Sequence, residues 1–186
     1  MNRMFMAPIN LKSKLLSMIE REIQNSSPEK PGLIMAKMNS LVDEDCIKAL
    51  YKASTHNVKV MLNVRGICML VPEKKGLSEN IKVVSIIDRF LEHSRIFYFQ
   101  NGGNEELYLS SADWMPRNLE RRVEIMIKIL KKNIFEDIKE NLKIYFKDTE
   151  NSFYLQSDGT WKKSSSKKQI RAQEELFKKY KKQSSL

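Results

Sequence analysis

The chain is short of cysteine, short of histidine, and without a long apolar run. Two cysteines, Cys46 and Cys68, stand among 186 residues and form no CxxC pair. That argues against a disulfide framework or a thiolate zinc site, and a reducing cytoplasm is the expected compartment. No apolar stretch nears the roughly 18 residues of a membrane span. The opening, MNRMFMAPIN, lacks the apolar core and small-residue cleavage site of a secretory leader. A Walker-type loop is missing as well. Asn101-Gly102-Gly103-Asn104 has no following Lys-Ser/Thr and opens no helix, so it reads as a hairpin turn in which glycine supplies positive φ. There is no internal repeat and no extended low-complexity tract.

What is present fits one globular domain with a real core: 41% of residues are hydrophobic and 30% charged. The net charge is +10, but it is uneven. Residues 162–186 hold nine Lys or Arg against two Glu, a net +7 that leaves +3 on the rest. A basic tail is therefore no argument that a site elsewhere is broadly basic. The expected organisation is one unit over 1–161 and a basic helix or tail over 162–186 packed on the same domain.

Arg3 to Ala7 reads as a strand stopped by Pro8. Leu11, Leu15, Met18, Ile19 and Ile23 recur at helical spacing, with Asn10 as N-cap. Leu33 to Met38 is a strand, Asp43 caps a second helix, and Val58 to Val64 is a strand apolar on both faces. Ile81 to Ser85 is a strand and Ile86 to Glu92 a helical turn. Arg95 to Phe99 and Leu107 to Ser110 pair as a hairpin. Val123 to Ile129 is a strand, and Ile134, Ile138, Leu142, Tyr145 and Phe146 mark a third long helix. SDGTWKKSSSKK is a loop, and Ile170, Leu176, Phe177 and Tyr180 fit a final basic helix. Alternation of strands and helices through the first half predicts an α/β fold whose mixed, mainly parallel sheet has helices on both faces. Ligands then bind beyond the carboxyl ends of the strands. Arg65 stands just past one such end and Asn39 shortly past another.

The stretch SIIDRFLEHSRIFYFQNGG from Ser85 carries the chemistry. His93 lies two residues before Arg95 at the head of a strand, and Arg65-Gly66 closes an earlier one. An imidazole can attack phosphorus or shuttle a proton, and guanidinium groups pair in forked fashion with phosphate oxygens. Each residue also has a plainer reading. His93 can bond a carbonyl at a chain junction, and Glu92 and Asp88 are surface carboxylates or orient the ring. Arg65 and Arg95 can serve ion pairs, and Arg117, Arg121 and Arg122 can form a solvated face. Trp114 reads as a packing residue. His56 falls in a loop and is given no role.

Longer motifs separate these readings. NVRGIC from Asn63, SENIKVVSIIDRFLEHSRI from Ser78 and FQNGGNEELYLSSADWMPRNLERRVE from Phe99 closely resemble the C-terminal domain of bacterial polyphosphate kinase, the large ATP-dependent family. FMAPINLKSKLLSMIEREI, KMNSLVDEDCIKALYKAS and KKQIRAQEELF match it too, so the resemblance runs from about residue 3 to 180. It implies a phospholipase D-like α/β fold. It also implies reversible transfer of the terminal phosphoryl group of ATP to inorganic polyphosphate through a phosphohistidine. That histidine belongs to a preceding domain with no counterpart in this sequence, so the chain is expected to be an isolated C-terminal domain, inactive alone. By the resemblance His93 is catalytic, and Arg65, His93, Arg122 and Arg95 bind ATP or polyphosphate phosphates. Magnesium accompanies ATP on ligands outside this chain, and no metal site is expected within it. Partners are ATP, ADP, polyphosphate, the preceding domains and further copies in a homo-oligomer, with no nucleic acid. The location is cytoplasmic or peripheral to the inner membrane. The family's hydrolytic cousins use HxKxxxxD. Here His93-x-Arg95 is followed by Gln100 at the aspartate position, which favours the kinase over a phosphodiesterase. A non-enzymatic polyanion-binding module acting through residues 162–186 is the other alternative.

Overall fold

A computed structural model describes residues 3–183; the last three residues of the expected basic tail lie outside them. Helix α1, Leu11–Gln24, buries the stripe Leu11, Leu15, Met18, Ile19 and Ile23 that its spacing predicts. Asn10 stands at its N-cap, but its side chain makes no cap bond and instead accepts from the Met6 backbone N–H at 2.8 Å. Helix α2, Glu44–Thr55, is capped as expected, with the Asp43 carboxylate accepting from the Cys46 N–H at 3.0 Å.

Nine strands form one sheet among the described residues. They are β1 Met4–Ala7, β2 Leu33–Met38, β3 Lys59–Val64, β4 Ile81–Ile86, β5 Ile96–Phe99, β6 Glu106–Ser110, β7 Glu124–Lys128, β8 Ser152–Leu155 and β9 Trp161–Lys163. Their order is β1-β7-β6-β5-β2-β3-β4-β8-β9. The sheet is mixed, as expected, but it is not mainly parallel. Only β2–β3 and β3–β4 pair in parallel, and every other neighbouring pair is antiparallel. The physical reason is the connections. β2 reaches β3 through α2, a βαβ unit, whereas β5 returns into β6 through a hairpin that can only reverse direction. That hairpin matches the sequence reading, with Gly102 at φ +63° and Gly103 at φ +106° in its turn.

Two further expectations fail. Residues 87–95 form no helical turn and run irregularly from the end of β4 to the head of β5. The segment read as a loop after Leu155 contains β9, which pairs with β8 through Trp161, Lys162 and Lys163. Position 161 thus lies inside an edge strand.

Alternation along the strands divides the core. Ile34, Ala36 and Met38 of β2 and Phe97 and Phe99 of β5 join α1 and α2 on one face. Met35, Ile96, Tyr98 and Leu107 meet Leu142 of helix α4, Lys132–Tyr145, on the other. Trp114, just before the short helix α3, Pro116–Glu120, is fully buried against Phe97, ring centroids 5.2 Å apart, as a packing residue should be. Helix α5, Ala172–Gln183, joins the α4 face through Ala172 and Leu176. No helix among the described residues is long and apolar enough to cross a membrane.

Candidate active site

Four chain segments meet at one edge of the sheet. The carboxyl ends of β2, β3 and β6 and the head of β5 point to it, because β5 runs antiparallel to β2 and β6 runs antiparallel to β5. Backbone bonds stitch the segments beyond the strands. Leu41 N–H donates to the Ile67 carbonyl at 2.8 Å, Met69 N–H to Leu41 at 2.9 Å, and Val42 and Asp43 N–H both to Trp114. Gly66 N–H donates to the Asn39 carbonyl at 2.8 Å. A Cβ built on Gly66 would lie 2.8 Å from that same carbonyl oxygen, so the RG pair needs its glycine for close approach.

At the centre is Asp113, which the sequence reading left unremarked inside SSADW. It is 6% exposed. Its carboxylate accepts from Arg95 Nε at 3.1 Å and Nη2 at 3.2 Å, from the Asn39 backbone N–H at 2.7 Å, and from Asn39 Nδ2 at 3.0 and 3.2 Å. Asn39 Oδ1 in turn accepts from Arg65 Nε at 2.6 Å. One carboxylate therefore fixes two arginines, the second through an amide. Arg65 commits only its Nε; its two Nη groups have no partner among the described residues. Arg95 spends Nε and Nη2 on Asp113 and donates Nη1 to the His93 carbonyl at 3.3 Å.

His93 is exposed, and its Nδ1 faces Arg95 Nη1 at 3.4 Å. A guanidinium can only donate, so this long contact selects the tautomer with its proton on Nε2. Neither Asp88 nor Glu92 bonds the ring. They hold the main chain around it instead. Asp88 pairs with Arg171 of the segment leading into α5, Nη2 to Oδ1 2.6 Å, which depresses its pKa from 3.8 to about 2. Glu92 accepts from Gln173 Nε2 at 2.7 Å, while Gln173 also brackets the Phe90 backbone N–H and carbonyl.

Glu92 has a second partner that sequence reading missed. Lys37, 1% exposed inside strand β2, places Nζ 3.2 Å from Glu92 Oε2, 3.4 Å from the Ser94 carbonyl and 4.8 Å from the Tyr145 ring centroid. Burial pushes the Lys37 pKa down, and the charges of Arg65 and Arg95 push the same way against Glu92. The signal was there: a lysine in the otherwise apolar strand LIMAKM. A buried ammonium must find partners, and these partners frame His93.

Arg122 is not brought into this group. It is exposed on the approach to β7, at the same edge but four strand positions from β3, roughly 19 Å at ordinary strand spacing. It makes no polar contact within the described residues. Gln100 lies at the opposite end of β5 from Arg95. The carboxylate beside Arg95 is Asp113, from the segment after β6. No cluster of three metal-ligating side chains occurs among the described residues.

The mixed α/β sheet has a phospholipase D-like fold. The structure of Nuc, a phospholipase D family member from Salmonella typhimurium, aligns over 87% of this chain with TM-score 0.58 and 14% identity, a likeness of fold alone. Sequence is more specific. The chain belongs to the polyphosphate kinase family, whose model for the polyphosphate kinase C-terminal domain 2 matches residues 4–173. The polyphosphate kinase of Rhodopirellula baltica is 46% identical over 175 residues, covering 92% of this chain and 20% of that protein. The crystal structure of polyphosphate kinase from Porphyromonas gingivalis superposes with TM-score 0.92 at 38% identity, over 98% of this chain and 28% of that one. The chain spans about a fifth to a quarter of the length of the curated relatives it matches.

Proposed function

We propose that this chain supplies the phosphate-holding side of a polyphosphate kinase active site. The observation that carries the reading is Arg65: tethered by Nε, half-exposed beside Gly66, with both Nη groups uncommitted. A guanidinium fixed at one nitrogen and open at two is preorganised for phosphate oxygens. In the overall reaction the terminal phosphoryl group leaves ATP, is carried on a histidine of a preceding domain, and passes to the end of a polyphosphate chain, with ADP released; every step reverses.

Phosphoryl transfer asks the protein chiefly for positioning and charge neutralisation. Arg65 holds equatorial oxygens of the moving group. His93, with its proton on Nε2, donates to a phosphate oxygen or passes that proton to the departing one. Arg95 positions His93 and keeps one guanidinium edge on Asp113. Arg122, four strand positions from β3 on the same edge, acts on a more distant phosphate. Magnesium travels with the nucleotide. Both Asp113 oxygens are already taken by Arg95 and Asn39, so its carboxylate ligands come from outside this edge. The enzyme works in the cytoplasm or at the inner face of the membrane, as an oligomer.

The test is polyphosphate synthesis by an enzyme carrying this chain as its C-terminal domain. His93→Ala and Arg65→Ala should each lower the rate by on the order of 100-fold or more, the usual cost of one lost transition-state contact. Unchanged synthesis in His93→Ala sinks the assignment of His93.

A further inference from the structure

At the opposite edge of the sheet lies a cationic cavity. Its volume is about 500 Å³, and Arg3, Lys14, Arg21 and Lys128 line it with a single carboxylate, Glu106. The topology explains the gathering. Arg3 precedes β1 and lies opposite Lys128, whose N–H donates to the Arg3 carbonyl at 2.9 Å. Glu106 opens β6, next to β7. Lys14 and Arg21 sit two turns apart on one stripe of α1, which covers this face.

The charges do not balance. Glu106 is 8% exposed and is already shared between Arg21 Nη2 and Lys128 Nζ. Lys14 has no carboxylate partner among the described residues; its ammonium rests 5.4 Å from the Phe5 ring centroid. Burial, followed by the charge of Arg21, pushes the Lys14 pKa down against the charge of Glu106, and Lys128 adds to the lowering. Arg21 Nε is buried without a hydrogen-bond partner. Four cations around one satisfied carboxylate leave an excess of three, together with an unused guanidinium donor. A lone carboxylate would neutralise one of these charges. A short run of condensed phosphate neutralises all of them and has the oxygens to meet both a guanidinium and ammonium groups.

We infer that this cavity binds condensed phosphate, as a site separate from the Arg65 edge. Strand β6 alone puts about 17 Å between the two edges. The inference does not depend on the function assigned to that edge. The phosphate run can come from a polymer or from a nucleotide triphosphate.

The experiment is a titration of the chain with tripolyphosphate, ATP and orthophosphate, followed by NMR at backbone and side-chain nitrogens. Tripolyphosphate should move Arg21 Nε, Lys14 and Lys128 in a saturable way, at least tenfold more tightly than orthophosphate. An equal response to ATP identifies a nucleotide triphosphate as a ligand, and a response to tripolyphosphate alone identifies the polymer. Arg3→Gln with Lys14→Gln should weaken binding here about tenfold or more and leave shifts at Gly66 intact. That variant removes no ion pair, so it should fold. Arg65→Ala should do the reverse. Shifts confined to the Arg65 edge or the tail lysines, equal affinity for orthophosphate, or an unaltered double variant would overturn the inference.

Discussion

Arg95 lays one edge of its guanidinium on Asp113, Nε to Oδ1 at 3.1 Å and Nη2 to Oδ2 at 3.2 Å. The two residues come from the head of one strand and the loop after its hairpin partner. The pair is largely buried, with side chains 14% and 9% exposed. It is also the root of the Asn39–Arg65 tether.

Asp113→Asn should therefore destabilise the fold and loosen Arg65 together. Removing one member of a buried ion pair costs about 3–5 kcal/mol. Denaturant unfolding should show a lower midpoint at unchanged slope. A midpoint equal to wild type contradicts the hub role.

Gly66→Ala pushes a methyl group against the Asn39 carbonyl oxygen, where a Cβ would stand at 2.8 Å. Backbone must move, at about 1–3 kcal/mol by analogy with overpacking. Phosphate affinity at the edge should fall even where stability falls little, since Asn39 carries Arg65. Calorimetric titration with tripolyphosphate at saturating folded fraction checks this.

Asp88 gives an acid signature. Its folded pKa is depressed from 3.8 to about 2 by hydrogen bonds from Arg171. A depressed carboxylate contributes stability that is full above its unfolded value and is lost as pH falls through its folded one. Wild type should exceed Asp88→Asn in stability above pH 4 and lose that advantage between about pH 4 and pH 2. A constant difference across that range shows that the pairing is not the cause.

Lys37 and Glu92 should behave as a coupled pair. Lys37→Met and Glu92→Gln each leave a buried partner short of its charge, so each should destabilise by about 3 kcal/mol. Their double replacement should cost less than the sum by at least about 1 kcal/mol. The His93 ring resonances should shift in all three variants, because residues 92–94 are held by Lys37.

How far the sequence reaches is clearest at individual residues. The α1 stripe, the Asp43 cap and the hairpin around Gly102 are local, and periodicity or turn chemistry exposes them. Arg65-Gly66 at a strand end was equally readable. Asp113 was not, because its partners Asn39 and Arg95 lie 74 and 18 residues away. Asp88 and Glu92 at helical spacing imitate a helix turn; each is instead held by a distant partner, Arg171 or Lys37, which keeps the segment irregular. Strand direction was misjudged for a similar reason. Alternating elements do not reveal that β5 inserts antiparallel beside β2. Arg122 entered through the family resemblance alone, and no local pattern told how far along the shared edge, four strands from β3, it would stand.

The most direct measurement is the binding of tripolyphosphate to this chain, read at the Arg65 Nε and at the Asn39 and Gly66 amides. The account predicts saturable shifts at all three, and those at Asn39 and Gly66 vanish in Arg65→Ala while the fold persists. Shifts absent from these positions, or retained at Asn39 and Gly66 without the Arg65 guanidinium, would contradict it.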